Sequence, residues 1–486
     1  MAIEFRRDGP WELPEGWVWT RAGDVLPLEY GKGLPERLRD TSGEFPVYGS
    51  AGVVGTHSKS LVEKPCLIIA RKGSVGAIFE ETRPCWPIDT VYYARDSAAL
   101  SRRFAYWFFS FWRLDRLDQS TAVPSLSRDN YNDVLIPIAP LSEQRRIVAR
   151  IDELFTEIAD GETALTRARD DLDTWRRALL KAAVTGELTR EWRTTNLPNE
   201  SGSDVIQRIK KMITATVRPL VRRNRKSAEQ DGVEVDLATL PELPASWAWS
   251  RIGEIGEVSG GLTKNPDRSS IARKLPYLRV ANVQYGELDL SDVHQIGVHE
   301  SEFERVRLRA NDLLVVEGNG SVDQIGRCAI WTNEIDPCVH QNHIIKVRIA
   351  DAKLAFWIFH WLMSPHGRQL VTRVASSTSG LHTLSISKIE AMPVPICPTV
   401  ERDQIISILD DGPDHGSTVE IELAEGDGSL SSLRQSVLRT AFEGRLVAQD
   451  PRDEPAKRLM ARLGDKREIP PSSRRKQNYR AAVIAE

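Results

Sequence analysis

At 486 residues the chain is too long for one hydrophobic core, and its length predicts two to four domains. Hydrophobic residues make up 41% and charged residues 27%, the balance of an ordinary globular protein, and no run of about 18 apolar residues is present that could span a bilayer. The formal net charge of −3 neither argues for a nucleic-acid partner nor excludes one, because phosphate binding needs a local patch and not a basic total. The opening MAIEFRRDGPWELPEG lacks the apolar stretch of a secretion signal, and five Cys without framework spacing fit a reducing cytoplasm, the expected location.

The first distinctive phrase is LPEGWVWTRAGDV at 13–25. A loop follows with Tyr30, Gly31, Lys32 and Gly33. The runs VYGSAGVVGTHS, PCLIIARKGSVGAIFE and TVYYAR are short, apolar and punctuated by Gly, which predicts strands and turns of a small mixed α/β domain. Within them Arg71, Lys72, Gly73, Ser74 and Gly76 make a second Gly-rich turn. Loops of this kind present backbone N–H groups and a cation together, which suits phosphate oxygens, although most Gly-Lys turns are simply solvated. FAYWFFSFW at 104–112 is apolar nearly all round and reads as a buried helix. The hydroxyls of Ser120 and Thr121 precede LSRDNYNDVLIPIAP at 126–140.

From there the period changes. Ile147, Ile151, Leu154, Ile158, Gly161, Leu165, Ala168, Leu172, Trp175, Leu179 and Ala182 alternate steps of four and three, a heptad seam. Pro140 and Ser142 mark a start and Gly186 a stop, so a helix over 142–186 is predicted, roughly 65 Å long at about 1.5 Å per residue. One such helix with a single apolar stripe needs a partner. Beyond it, residues 206–226 carry eight Lys/Arg and no acid, either a phosphate-contacting strip or a solvated linker.

The chain then repeats itself. LPASWAWSRIGEI at 243–255 answers the opening phrase at an offset of 230; LSISKIEAMPVPICP at 384–398 answers 126–140 at 258; and LRQSVLRTAFEGRL at 433–446 answers WRRALLKAAVTGEL at 175–188, again at 258. The early half of copy two is therefore longer by 258 − 230 = 28 residues, while the later half needs no insertion. Copy two repeats the loops as Gly260, Gly261, Thr263 and Lys264, then Asn319, Gly320 and Ser321, and its hydroxyl pair is Thr378 and Ser379. Arg279, Asn282, Gln341 and Asn342 carry the guanidinium and amide groups that read base edges, with ordinary surface polarity as the plain alternative. LAFWIFHWLM at 354–363 is the second aromatic helix. Ile405, Leu409, Val419, Leu423, Leu430, Leu433 and Val437 form the partner seam, with a break predicted near 411–417 from Gly412, Pro413 and Gly416. The segments 204–209 and 455–463 read as a short matching helix in each copy, and SRRKQ at 473–477 ends the chain with a basic tail.

Phosphate-cradling, dinucleotide-binding and nucleophile-elbow motifs are missing, as is the Asn/Asp-Pro-Pro-aromatic signature of amino-methyltransferases. Cys328, Cys338, His340 and His343 could be imagined as a zinc site, but ligands along one strand alternate faces and copy one has no equivalent His, so no metal is expected.

The LPEGW/LPASW openings, APLSEQRRIVARIDELF at 139–155 and the LLKAAVTGEL/VLRTAFEGRL closings resemble the specificity subunits of type I restriction–modification systems, over nearly the whole chain. That resemblance implies two target recognition domains separated by two long antiparallel helices, a coiled-coil spacer with pseudo-twofold symmetry. It places target recognition at 1–140 and 241–398, spacer helices at 141–190 and 399–449, and short helices with basic segments at 191–240 and 450–486. It implies a non-catalytic subunit without a cofactor of its own, which recognises a two-part double-stranded DNA site. Two methyltransferase subunits using S-adenosylmethionine would dock on it, with restriction and translocase subunits using ATP and Mg. Copy two departs from the pattern with VERDQ where Glu and Gln would be adjacent. The alternative is a helical scaffold whose paired domains bind proteins, and a mobility shift that depends steeply on salt separates the two.

Overall fold

The repeated tryptophan phrase is the first strand of each copy, and the repeated Leu-Ser phrase supplies its partner. Val18–Arg21 pairs antiparallel with Leu135–Ile138, placing Trp19 opposite Pro137. Ala248–Arg251 pairs with Pro393–Ile396 in the same register, Trp249 opposite Pro395. Proline is tolerated in these strands because a two-stranded ribbon leaves one edge without ladder bonds. The offsets of 230 and 258 thus belong to two strands of one ribbon, with the variable insertion between them. The structure is a computed structural model that describes residues 9–40, 42–117, 124–216, 235–318, 324–375 and 383–464.

Two compact units divide the chain, one made of Met1–Thr166 with Ala424–Glu486 and the other of Arg167–Leu423. The first holds a four-stranded antiparallel sheet ordered Glu29–Tyr30, Val91–Arg95, Cys66–Ala70, Ile78–Glu81, and a three-stranded sheet ordered Gly52–His57, Phe45–Gly49, Trp86–Pro87. The second repeats both. Its sheets are Glu257–Gly260, Ile344–Arg348, Asp312–Val316, Cys328–Trp331, and His294–Gly297, Lys274–Leu278, Val339–His340. In both three-stranded sheets one pairing is antiparallel and the other parallel. Among the described residues no helix is long and apolar enough to cross a membrane.

The aromatic helices close the cores. Arg102–Trp112 buries Phe104, Trp107, Phe108 and Phe109. Ala352–Met363 buries Trp357 and Trp361, whose indole N–H groups donate to the Pro395 and Pro393 carbonyls at 2.6 and 2.9 Å. Burial of such rings stabilises by roughly 2–3 kcal/mol each.

Each core is completed by the closing segment of the other copy. Gly186 ends the first long helix at φ +75°, and a Cβ there would lie 2.5 Å from Pro244 Cγ, in the opening phrase of copy two. Gly444 ends the second at φ +70°, where a Cβ would lie 2.3 Å from Pro14 Cγ, in the opening phrase of copy one. The short helices follow suit: the Gly202 N–H donates to the Ser246 carbonyl, and the Ala456 N–H to the Gly16 carbonyl, at 2.8 and 2.9 Å. These begin the helices Gly202–Thr216 and Ala456–Gly464, matching the expected short pair.

The long helices are Leu141–Val184 and Thr399–Phe442. They run antiparallel within each unit. In the first, Leu430 lies 3.5 Å from a Cβ built on Gly161, and Arg434 bridges to Glu162 at 2.6 Å. In the second, Arg169 donates to the Leu423 carbonyl at 3.0 Å and Arg176 pairs with Glu420. The expected break near 411–417 does not occur, because the second helix is continuous. Pro413 removes one backbone bond, a cost of about 3 kcal/mol. Flanking packing offsets it, with Ile405, Ile406 and Leu409 buried before it and Leu423 after.

The seam is also narrower than expected. Ile147, Ile151, Ile158, Leu423 and Val437 are buried and Leu154, Leu165, Leu172, Leu179 and Leu430 half-buried, but Val419 is exposed, and so are Trp175 at 45% and Leu433 at 48%. A straight helix drifts off a strict heptad, so Trp175 and Leu433 turn outward. They are the same position of the repeat, 258 apart. Gly428 is exposed, mid-helix and open around its Cα. Gly428→Ala should raise stability by about 0.5–1 kcal/mol, measured as the unfolding midpoint in urea.

Candidate nucleic-acid interface

Gly31 brings its loop against the Ile88 carbonyl oxygen, which a Cβ would approach to 2.0 Å; Gly261 does the same with the His340 carbonyl oxygen, at 2.1 Å. No side chain fits either place, so both turns hold one backbone path. The second turn is equally constrained. Gly73 and Gly76 have φ of +77° and +79°, and a Cβ on Gly76 would lie 2.4 Å from the Asp115 nitrogen.

In the first unit these turns meet at Tyr30. Its ring is 50% exposed, with the guanidinium carbons of Arg71 and Arg128 at 5.2 and 5.3 Å from the centroid and Tyr92 at 5.0 Å. The Leu126 N–H donates to the Arg71 carbonyl at 2.9 Å, and Lys72 bridges Ser125. This bridge brings Arg128 to the site, a residue the sequence reading missed because only the fold joins 71–72 to 125–128. Lys32, Gly33, Lys72 and Ser74 are exposed on the same turns, with the Lys32 N–H held by the Pro87 carbonyl at 3.0 Å.

The second unit builds the same frame with different chemistry. The Leu384 N–H donates to the Glu317 carbonyl at 2.7 Å and Gly318 bridges Thr383, so Glu317 stands where Arg71 stands in the first. Gly260 replaces Tyr30 and Ile386 replaces Arg128; a Cβ on Gly260 would lie 3.4 Å from Ile386 Cδ1. Glu317 accepts from or shares a proton with His343 Nδ1 at 2.9 Å. Glu317 was not among the sequence candidates, and His343 was considered only as an imagined zinc ligand. Thr263 and Lys264 are exposed beside Gln341 and Asn342, because Leu262 bridges Gln341 and the Asn342 N–H donates to the Leu262 carbonyl at 3.0 Å.

Other candidates separate from this cluster. Asn282 is buried, its amide spent on the Asp289 and Asp292 carbonyls at 2.8 and 3.1 Å, and its oxygen on the Arg279 N–H at 2.8 Å. Arg279 pairs with Asp292 at 2.7 Å. These two staple a loop. Ser120, Thr121, Asn319, Ser321, Thr378 and Ser379 lie outside the described residues, as do residues 217–226 of the basic strip and the tail motif 473–477.

The imagined zinc ligands point apart: His340 is buried against the Val306 carbonyl at 3.0 Å while His343 is exposed and faces Glu317. Burial lowers the His340 pKa to about 3 and raises the Cys328 and Cys338 thiols to about 12.

The Ser-Glu-Gln phrase at the start of the first long helix anchors the ribbon to the aromatic helix. Gln144 is buried, donating to the Ala99 and Ala139 carbonyls at 2.9 and 2.8 Å and accepting from the Ser101 N–H at 2.8 Å. Its counterpart is Arg402, which bonds Asp351 at 2.7 Å, the cap of the second aromatic helix. The departure at VERDQ therefore replaces an amide tie by an ion pair at one place in the fold.

Two units of one design, each with the same loop frame and half of each long helix, define a tandem-repeat protein. Residues 14–166 match the type I restriction modification DNA specificity domain. It is 24% identical over 342 residues to the type I restriction enzyme EcoKI specificity subunit of Escherichia coli K12, a match covering 69% of this chain and 63%, under two thirds, of that relative. It is 20% identical over 459 residues to the EcoDI specificity subunit of Escherichia coli, covering 90% of each. In fold it resembles a chain from a study of complex assembly and conformational transition of the type I R-M system, with a TM-score of 0.62, 17% identity and coverage of 90% of this chain and 100% of the other. The HsdS subunit from Thermoanaerobacter tengcongensis matches with a TM-score of 0.50 and 18% identity, over 91% of this chain and 100% of that one.

Proposed function

We propose that this chain is the non-catalytic sequence-specificity subunit of a type I restriction–modification complex, reading a double-stranded DNA target in two parts. One observation carries the reading. A single loop frame occurs twice, offering Tyr30, Arg71 and Arg128 in one unit and Gly260, Glu317 and His343 in the other. Arginine suits guanine N7 and O6, and a carboxylate suits the cytosine amino group, so two unlike half-sites follow from two unlike chemistries. The chain binds no cofactor itself in this reading; S-adenosylmethionine, ATP and Mg serve its methyltransferase and restriction partners in the cytoplasm.

Trp175 and Leu433, exposed at equivalent points of the two long helices, support docking of two like subunits. Trp175→Ala with Leu433→Ala should weaken capture of modification subunits at least tenfold while leaving duplex binding by the chain intact, read by sedimentation and mobility shift. The decisive experiment mixes the chain with its modification subunits and maps adenine methylation. A gapped two-part site methylated only in the mixture is expected. Methyl transfer by the chain alone overturns the reading, and subunit capture without any salt-dependent duplex binding supports the protein scaffold instead.

A further inference from the structure

Among the described residues, the second unit carries an α-helix where the first has only the short 3-10 turn Leu114–Leu117. The aromatic helices align at an offset of 250 (Trp107 to Trp357) and the Leu-Ser phrases at 258, so copy two is longer there by 258 − 250 = 8 residues. The surplus is spent on Pro365–Ala375, which turns sharply out of the aromatic helix. A Cβ on Gly367 would lie 1.9 Å from the Trp361 carbonyl oxygen, and the Gly367 N–H donates to Ser364 Oγ at 3.1 Å. Leu370, Val371, Val374 and Ala375 face the core, which leaves Arg368, Gln369, Thr372 and Arg373 along the other side.

That side lines an open cavity of about 810 Å³, together with Tyr285 and, from the first long helix, Arg177. Three guanidiniums meet there, and none of the lining residues carries a carboxylate. Two are held in place: Arg368 donates to the Tyr285 hydroxyl at 2.9 Å with its guanidinium carbon 5.1 Å from that ring, and Arg373 donates to Thr239 Oγ1 at 3.1 Å. Arg177 is exposed, with Asp173 one turn away at 3.9 Å, a pair that solvent screens.

We propose that this cavity binds phosphate oxygens of the DNA backbone and gives the second unit its sequence-independent grip. The inference rests on the DNA-reading role proposed above. The donor set is guanidinium, amide and hydroxyl, which matches phosphate oxygens. The need for it is electrostatic. The first unit's reading loop supplies four cations in Lys32, Arg71, Lys72 and Arg128, whereas the second unit's has Lys264 and sets Glu317, paired with His343, where Arg71 stands in the first. A recognition unit with a carboxylate on its loop needs to hold phosphates elsewhere, and the surplus helix provides the means.

The test uses the chain assembled with its modification subunits and a mixed-sequence duplex, with affinity measured across salt. Arg177→Ala with Arg373→Ala, both on exposed side chains, should make the slope of log affinity against log salt shallower by about two, one for each phosphate no longer neutralised. Target and unrelated duplexes should weaken by the same factor, and Arg177→Lys with Arg373→Lys should restore the slope. An unchanged slope overturns the proposal. So does a variant that loses binding of inorganic pyrophosphate while keeping its slope on DNA, which would assign the cavity to a free phosphate compound. If the unaltered complex bound no duplex at all, the DNA-reading role itself would fall, a result distinct from either.

Discussion

Glu401→Gln should destabilise the protein by roughly 3 kcal/mol, lowering the melting midpoint by about 6–12 °C, while Glu143→Gln, at the same position of the other copy, should not. Both glutamates begin a long helix and both are buried. Glu401 accepts from Trp247 Nε1 at 2.9 Å and Thr189 Oγ1 at 2.7 Å and pairs with Arg193, itself mostly covered. An amide there would leave Arg193 without its counter-charge in a poorly solvated place, which costs more than the pair contributes. Counting 258 on from Thr189 and Arg193 gives Val447 and Pro451, so Glu143 has neither partner. Trp17 stands beside it, and its neighbour Arg146 turns to Asp453 at 2.7 Å.

Burial therefore raises the Glu143 pKa above its usual value of 4.5. A carboxyl whose folded pKa is raised stabilises the fold at pH below its unfolded value, and that contribution is lost as pH rises through the folded value. Glu143→Gln should then hold or raise the midpoint at neutral pH and flatten its fall from about pH 4 to pH 7. Calorimetry of both variants across that range is the measurement. A loss for Glu143→Gln as large as for Glu401→Gln would contradict the asymmetry.

The second large effect is on recognition. Arg71→Ala and Arg128→Ala should each weaken binding of the target by about 1–3 kcal/mol, or roughly 5–150-fold, and relax the preference for bases in one half-site only. Glu317→Gln should alter the other half alone. Methylation maps made with each variant in the complex would separate them. Changes spread over both halves in every variant would mean that the two frames do not read independently. Tyr30→Phe is expected to do little, since the ring and not the hydroxyl meets the two guanidiniums.

Much of this was legible beforehand, for physical reasons. The Gly-rich turns at 31–33 and 73–76 were visible because close backbone approach and positive φ admit only Gly. The long helices were visible because a period of 3.5 has few other causes. Arg128 and Glu317 were hidden because a bridge between segments about 50 or more residues apart brings them to the loops. Asn282 misled because an amide looks the same in sequence whether it faces a base or closes its own turn. The expected break at Pro413 overweighted local cost against packing on both flanks.

The order of residues alone determined that there are two copies, which stretch may vary in length, and where the first long helix starts and stops, since turn chemistry and apolar period are local properties. Tertiary structure decided which closing segment completes which core. A Gly-terminated helix paired antiparallel with its twin ends beside the other copy's Leu-Pro opening, and only that pairing tells Pro244 from Pro14 as the neighbour of Gly186. It also decided the chemistry offered at each loop, because the frame that sets Arg71 beside Tyr30 sets Glu317 beside Gly260, and charge acts through distance in space and not along the chain.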